Sequence, residues 1–292
     1  MQFYIVDVFA EEKYAGNQLA VFRGVENLST EQMQRIAKEM NYSETTFVVS
    51  EIIESGGYFV RIFTPQQELP FAGHPTLGTA FILQQEVIRQ PIETVMLNLK
   101  VGQIPVTLSY QDQKIDLLWM RQNQPTFGQQ FDRETIAPIL NLKADEFDDR
   151  YPIQEVSTGL PFIIVPLKKQ RSLQHAKISR EKLFELIKTT EAQAILVFCP
   201  ETYHSENQLC VRVFVDGLGI PEDPATGSAN GCLAGYLAQY HYFGDSSVDV
   251  RVEQGYEMGR PSLLLLKAQK TGDKIEVSVG GHVVMVAKGE FV

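Results

Sequence analysis

The apolar residues of this chain fall into two patterns: short β-forming runs bounded by glycine, and two helical segments with no polar face. Phe3 to Phe9 is a run of β-formers, Gly16-Asn17 punctuates it, and Gln18 to Arg23 reads as a second strand. Ser29 opens a helix with Gln32 as its capping-box partner. Met33, Ile36, Ala37 and Met40 then share one face, and the helix stops near Asn41. Thr45 to Ser50 follows as a strand with Ser43-Glu44 at its mouth, and Tyr58 to Phe63 is another. Leu77, Ala80, Phe81, Ile82 and Leu83 show no polar partner until Gln84, so this helix belongs inside a core; Pro75 suits its first turn. Ser228 to Tyr240 has the same character. Strands are predicted at Thr94–Leu99, Ile104–Tyr110 and Lys114–Met120 after the first core helix. After the second they are predicted at Val248–Val252, Ser262–Lys267, Lys274–Val279 and Val283–Ala287, with short antiparallel connections.

The two core helices end two copies of one plan. Val60-Arg61-Ile62-Phe63 leads to Ala72-Gly73-His74-Pro75, and Val211-Arg212-Val213-Phe214 leads to Thr226-Gly227-Ser228-Ala229. Weaker echoes keep the same order: Gly16 to Phe22 matches Gly159 to Val165, and Thr46 to Val49 matches Ile195 to Phe198. The predicted architecture is therefore α+β, with two similar pseudo-symmetric domains. Each has a central helix wrapped by mostly antiparallel sheet. The first half spans 1–120 and the second 121–281; the last strand, 282–292, has the surplus position and is free to join the first half. Residues 120–150 read as a connector with a short helix near Arg133 to Leu142. Such a duplication predicts two domains facing one another, with two helix N-termini directed at a small anion.

Candidate chemistry gathers at those helix starts. His74 precedes a proline, which biases it toward extended geometry near the helix N-cap, where a neutral imidazole exchanges protons or simply caps the helix. Gly73-His74 and Gly227-Ser228 offer backbone N–H groups to a carboxylate or phosphate. Asp223 sits before Pro224 in the loop that mirrors the one before His74; by itself it reads as an ordinary loop carboxylate. Glu44 opens a strand. Partly desolvated it would suit a group that accepts and returns a proton, although position alone favours a solvated surface glutamate. The glycines match neither a Walker loop nor GxGxxG, so no nucleotide or nicotinamide cofactor is expected. The five histidines show no ligand spacing, so no metal is expected, and GxSxG is absent.

The bulk numbers narrow the field. The chain has 292 residues, 44% hydrophobic and 21% charged, which suits a globular protein with room for two cores. A net charge of −10 with no long basic run makes nucleic acid a poor partner. Three cysteines without a CxxC pair point to a reducing compartment. No apolar stretch approaches a membrane span and the N-terminus lacks a basic region, so a cytoplasmic protein is expected.

Ala72-Gly73-His74-Pro75-Thr76-Leu77-Gly78-Thr79-Ala80 and Glu222-Asp223-Pro224-Ala225-Thr226-Gly227-Ser228-Ala229 resemble the two signature motifs of the PhzF phenazine-biosynthesis family. Asp7-Val8-Phe9 with Gly16-Asn17, Asn41-Tyr42-Ser43-Glu44-Thr45, Gln254-Gly255 and Gly259-Arg260-Pro261-Ser262 extend the resemblance over nearly the whole chain. It implies the diaminopimelate-epimerase fold and a cofactor-independent isomerase acting on a small carboxylate. One member isomerises trans-2,3-dihydro-3-hydroxyanthranilate. It further implies that Glu44 shuttles the proton, that His74 and Asp223 assist, and that Gly73, Gly227 and Ser228 line the substrate site; a homodimer is also suggested. Epimerases and racemases of the wider fold carry a thiol at each helix start, where this chain has Gly73 and Gly227. Stereoinversion of an amino-acid-like compound without thiols, or a non-catalytic small-anion binder, are the alternatives.

Overall fold

The computed structural model describes residues 1–292, which divide into two compact units: 1–121 with 280–292, and 122–279. The first unit opens with β1 (Gln2–Val8), β2 (Asn17–Arg23), α1 (Thr30–Met40), β3 (Glu44–Val48), β4 (Tyr58–Phe63) and β5 (Glu68–Leu69). It continues through α2 (Gly73–Ile82), β6 (Thr94–Leu99), β7 (Gly102–Gln111) and β8 (Lys114–Arg121). The β1–β2, β3–β4, β6–β7 and β7–β8 pairs are antiparallel, whereas β2–β3 and β4–β6 are parallel. The parallel pairs fit a mostly antiparallel sheet: α1 and α2 lie between their strands and serve as the crossovers that parallel neighbours require.

All ten residues of α2 are buried, as a helix without a polar face demands. It touches β1, β2, β3, β6, β7 and β8, so the sheet curls around it. Gly78 permits the close approach: a Cβ there would stand 2.5 Å from Leu19 Cδ2. The helix continues past Ile82 as a π-helical segment, Leu83–Ile88, which ends at Arg89 with φ 57°. The outer face of the same sheet is covered by α1. Ala20, Phe22, Phe47 and Phe63 pack there against Met33 and Ala37, with Phe22 stacked on Phe47 at 5.3 Å. The Ser29–Gln32 capping box fixes the start of α1, and Asn41 closes it in the left-handed conformation.

The second unit contains β9 (Thr126–Phe131), α3 (Arg133–Leu140), β10 (Ile153–Ser157), β11 (Pro161–Pro166), α4 (Gln170–His175) and α5 (Arg180–Leu186). It then runs through β12 (Ile195–Cys199), β13 (Leu209–Phe214), β14 (Glu222–Asp223), α6 (Gly227–Gln239), β15 (Ser247–Gln254), β16 (Ser262–Thr271) and β17 (Lys274–Gly281), whose last two residues fall in the first unit. β9 pairs antiparallel with β10, so the stretch read as a connector supplies a strand to the second sheet. Parallel pairs recur at β11–β12 and β13–β15. α6 packs on β10, β11, β15 and β16, and α3, α4 and α5 bury the opposite face of the sheet. The last strand, β18 (Val283–Glu290), lies antiparallel to β1 from Gln2↔Glu290 to Val8↔Val283 and so belongs to the first unit.

Pairing corrects one of the sequence echoes. Thr45 faces Phe63 and Ile195 faces Phe214. Phe63 and Phe214 are equivalent, so Thr45 matches Ile195; the echo that set Thr46 against Ile195 is one residue out of register. The slip arose because β12 is buried on both faces and carries no alternation to mark its phase.

Candidate active site

In the first unit the site is assembled from β2, β3 and α2. Glu44 is the first residue of β3, held parallel to β2 opposite Leu19. Its side chain is 16% exposed, so the reading of a solvated surface glutamate does not hold. His74 is the second residue of α2, in helical conformation despite the proline that follows, and Ala72 is the N-cap. Helical geometry wins over the pre-proline bias because Thr76 closes the first turn onto Ala72 O with both its N–H and its hydroxyl. His74 Nε2 approaches Glu44 Oε2 at 3.4 Å, and the imidazole is 6% exposed.

Burial controls the charge of this histidine. Desolvation drives its pKa from an ordinary 6.5 down to about 3, against an upward pull from a hydrogen bond with the backbone of Gln18. Gln18 is delivered by the Gly16-Asn17 turn, where Gly16 has φ 62°. The imidazole is therefore neutral at physiological pH. It offers one nitrogen as a donor or acceptor while carrying no charge of its own.

In the second unit Asp223 ends β14, opposite Val213, and is 9% exposed. Its Oδ2 accepts a 2.6 Å hydrogen bond from Thr226 Oγ1. Thr226 is the N-cap of α6, yet its hydroxyl caps nothing because it serves Asp223. Gly227 and Ser228 are the first two residues of α6; Gly227 is buried and Ser228 half-buried. Neither α2 nor α6 has a side-chain cap at its N-cap residue, which leaves first-turn N–H groups to be satisfied by other means. Gly73, like Gly227, opens its helix with no Cβ beside the first-turn backbone.

Sequence reasoning passed over Thr226 and gave Gln254 no role of its own. Gln254 is 1% exposed and bonded to the Asp223 loop. Val248, Val250 and Val252 mark the buried phase of β15, and a glutamine at the next position of that phase was the available signal. Cys232 lies on α6, fully buried against Thr158, with its thiol pushed up to about 11 by desolvation. The described residues contain no group of three or more His, Cys, Asp or Glu placed to hold a metal ion. No helix is long and apolar enough to cross a membrane.

Two halves, each with a buried central helix wrapped by a curled and mostly antiparallel sheet, define the α+β class of the diaminopimelate-epimerase type. Within that class, the profile of the PhzC-PhzF family, phenazine biosynthesis-like proteins, matches residues 6–289, and the chain belongs to that family. A trans-2,3-dihydro-3-hydroxyanthranilate isomerase from Pseudomonas aeruginosa is 34% identical over 290 residues, covering 99% of this chain and 98% of the relative. An uncharacterised isomerase from Mesorhizobium japonicum is 32% identical over 298 residues, covering 99% and 98%. The crystal structure of a PhzF-family phenazine biosynthesis protein from Bacillus anthracis superposes with a TM-score of 0.91 at 28% identity, covering 100% of this chain and 99% of that one. The protein is a PhzF-like isomerase.

Proposed function

We propose that the chain isomerises a small carboxylate by cofactor-independent acid/base proton transfer, with trans-2,3-dihydro-3-hydroxyanthranilate as the first substrate to test. Glu44 takes the proton from an acidic C–H and returns it at another carbon. The observation that supports this most directly is the 3.4 Å approach of a mostly buried carboxylate to a neutral, buried histidine at a helix start. A neutral His74 sets a polar but uncharged imidazole beside the Glu44 carboxylate. His74 is assigned as a polar partner that steadies the carboxylate and the substrate. Asp223 is assigned to bind substrate polar groups, and Gly73, Gly227 and Ser228 to present backbone and hydroxyl donors to it.

The relative from Pseudomonas aeruginosa carries the name of that reaction, and at 34% identity the same class of chemistry is a reasonable starting point. Stereoinversion by paired thiols has little support, because glycine stands at both helix starts and Cys232 is buried. The experiment is turnover of trans-2,3-dihydro-3-hydroxyanthranilate in deuterated buffer, followed by NMR. Isomerisation by the native chain that Glu44→Gln abolishes supports the reading. Equal turnover by that folded variant sinks the role of Glu44.

A further inference from the structure

Gln254 ends β15, held opposite Val211 on one side and Ser262 on the other. Its carboxamide bonds to the loop that carries Asp223 and to the first turn of α6. Oε1 accepts from Thr226 N at 3.1 Å and from Asn230 Nδ2 at 2.8 Å. Nε2 donates to Asp223 O at 2.8 Å and to Thr226 Oγ1 at 3.0 Å. The orientation is fixed by chemistry: Thr226 N–H can only donate and Asp223 C=O can only accept, so the opposite amide orientation would lose both bonds. Thr226 Oγ1, having accepted from Gln254, turns its own proton to Asp223 Oδ2 at 2.6 Å. Gln254 therefore holds Asp223 twice, by its backbone carbonyl and, through Thr226, by its carboxylate.

The duplicated half supplies an internal control. Val252 and Glu253 pair with Leu209 and Cys210, as Leu97 and Asn98 pair with Tyr58 and Phe59, so Gln254 corresponds to Leu99. Val213 faces Asp223 as Ile62 faces Leu69, so Asp223 corresponds to Leu69. The loop with a carboxylate is backed by glutamine, and the loop with a leucine is backed by leucine. A glutamine needed merely to fold this strand-loop-helix turn would be needed in both halves.

We propose that Gln254 is a positioning residue, which acts through Thr226 to hold the Asp223 carboxylate in one orientation at the start of α6. The proposal rests on the reading of Asp223 as a substrate-binding group, and its test separates the two. In the full chain, amide hydrogen exchange is measured for Gln254→Leu and Thr226→Val, with Thr226→Ser as the conservative control. The kcat and KM of all three with trans-2,3-dihydro-3-hydroxyanthranilate are compared with those of Asp223→Asn. In Gln254→Leu the Thr226 amide is expected to exchange about tenfold faster, the loss of one buried hydrogen bond, while β12 and β16 stay protected. In Gln254→Leu and Thr226→Val, kcat is expected to fall by about tenfold or more with KM changed less, and Thr226→Ser is expected to keep native values. Unchanged exchange at Thr226 in Gln254→Leu overturns the proposal, as does native turnover by Gln254→Leu beside an inactive Asp223→Asn. Native turnover by Asp223→Asn overturns the role of Asp223 instead. If the native chain leaves this compound untouched, the exchange comparison alone decides whether Gln254 orders the loop. Should Gln254→Leu fail to fold, Thr226→Val carries the same kinetic comparison against Thr226→Ser.

Discussion

Glu44 in the first unit occupies the position that Ala194 holds in the second. β2 and β3 align Ala20 with Thr45, β11 and β12 align Ile163 with Ile195, and each of these strands turns antiparallel onto an equivalent phenylalanine. The residue before Thr45 is Glu44, and the residue before Ile195 is Ala194. By the same alignment His74 matches Ser228 and Leu69 matches Asp223. The fold thus has no structural need for a carboxylate at the mouth of this strand. One copy carries a half-buried acid and a buried imidazole, and the other an aspartate on a hydrogen-bonded loop.

This equivalence makes a prediction about Glu44. Replacing it by alanine reproduces the residue the second copy uses, so the fold is expected to tolerate the change within about 1 kcal/mol of native stability. Glu44→Gln keeps the shape and loses the proposed proton carrier. Both variants are expected to lose isomerase turnover by about a hundredfold or more. Denaturant melts beside NMR-followed turnover would check this; a variant that unfolds rather than merely stalls would show that the carboxylate is structural.

His74 links stability to pH. Its pKa is depressed from 6.5 to about 3 by burial, so the unfolded chain binds a proton between those values and the folded chain does not. Stability from this group is therefore intact above pH 6.5 and erodes as pH falls toward 3. His74→Asn removes that linkage. Between pH 7.5 and 4.5 the variant is expected to lose less stability than the native chain, by about 2–3 kcal/mol. Urea unfolding of both proteins at the two pH values gives the comparison, and parallel losses would contradict a buried neutral imidazole.

Gly255 is the backbone counterpart of Gln254. Its φ is +81°, and a Cβ there would lie 2.3 Å from Arg260 O and 2.6 Å from Pro224 O. Both neighbours are backbone atoms, which cannot swing aside as a side chain can. Gly255→Ala is expected to cost about 2 kcal/mol or more, from positive-φ strain and forced displacement together. The displaced carbonyl of Pro224 adjoins Asp223, so turnover is expected to fall as well. Thermal melts and activity measured on the same preparation test both parts.

What could be read in the sequence follows physical lines. The central helices α2 and α6 were legible because residues with no polar face must be buried, and α1 because its capping box and Asn41 mark both ends. The duplication was legible from the Arg61 and Arg212 strands, which the structure shows paired alike: Arg61 binds Glu68 and Arg212 binds Glu222, each over a phenylalanine ring. β9 was missed because Thr126 to Phe131 is largely exposed, and its pattern resembles a loop. The pairing of Glu44 with His74 was hidden because it links β3 to α2, and position alone made Glu44 a surface residue. The part Gln254 plays was hidden because it shows only when strand register makes it the equivalent of Leu99.

The cysteines offer a test of the chemistry itself. Cys199, Cys210 and Cys232 are all buried and unpaired by disulfides. Desolvation pushes the Cys199 thiol up to about 12 and that of Cys232 up to about 11, and raises Cys210 as well. Reactivity follows thiolate population and access, and here both are suppressed. A thiol reagent such as Ellman's is expected to leave the native protein unlabelled at pH 8 and to label all three cysteines after unfolding. Cys232→Ala removes a small buried side chain from α6, at about 1–2 kcal/mol of stability, and is expected to keep native turnover within a few-fold. An isomerase that moves its proton on a carboxylate is indifferent to this thiol. Rapid labelling of Cys232 in the native state with parallel loss of activity would instead place a sulfur at the reacting carbon and remove Glu44 from that role.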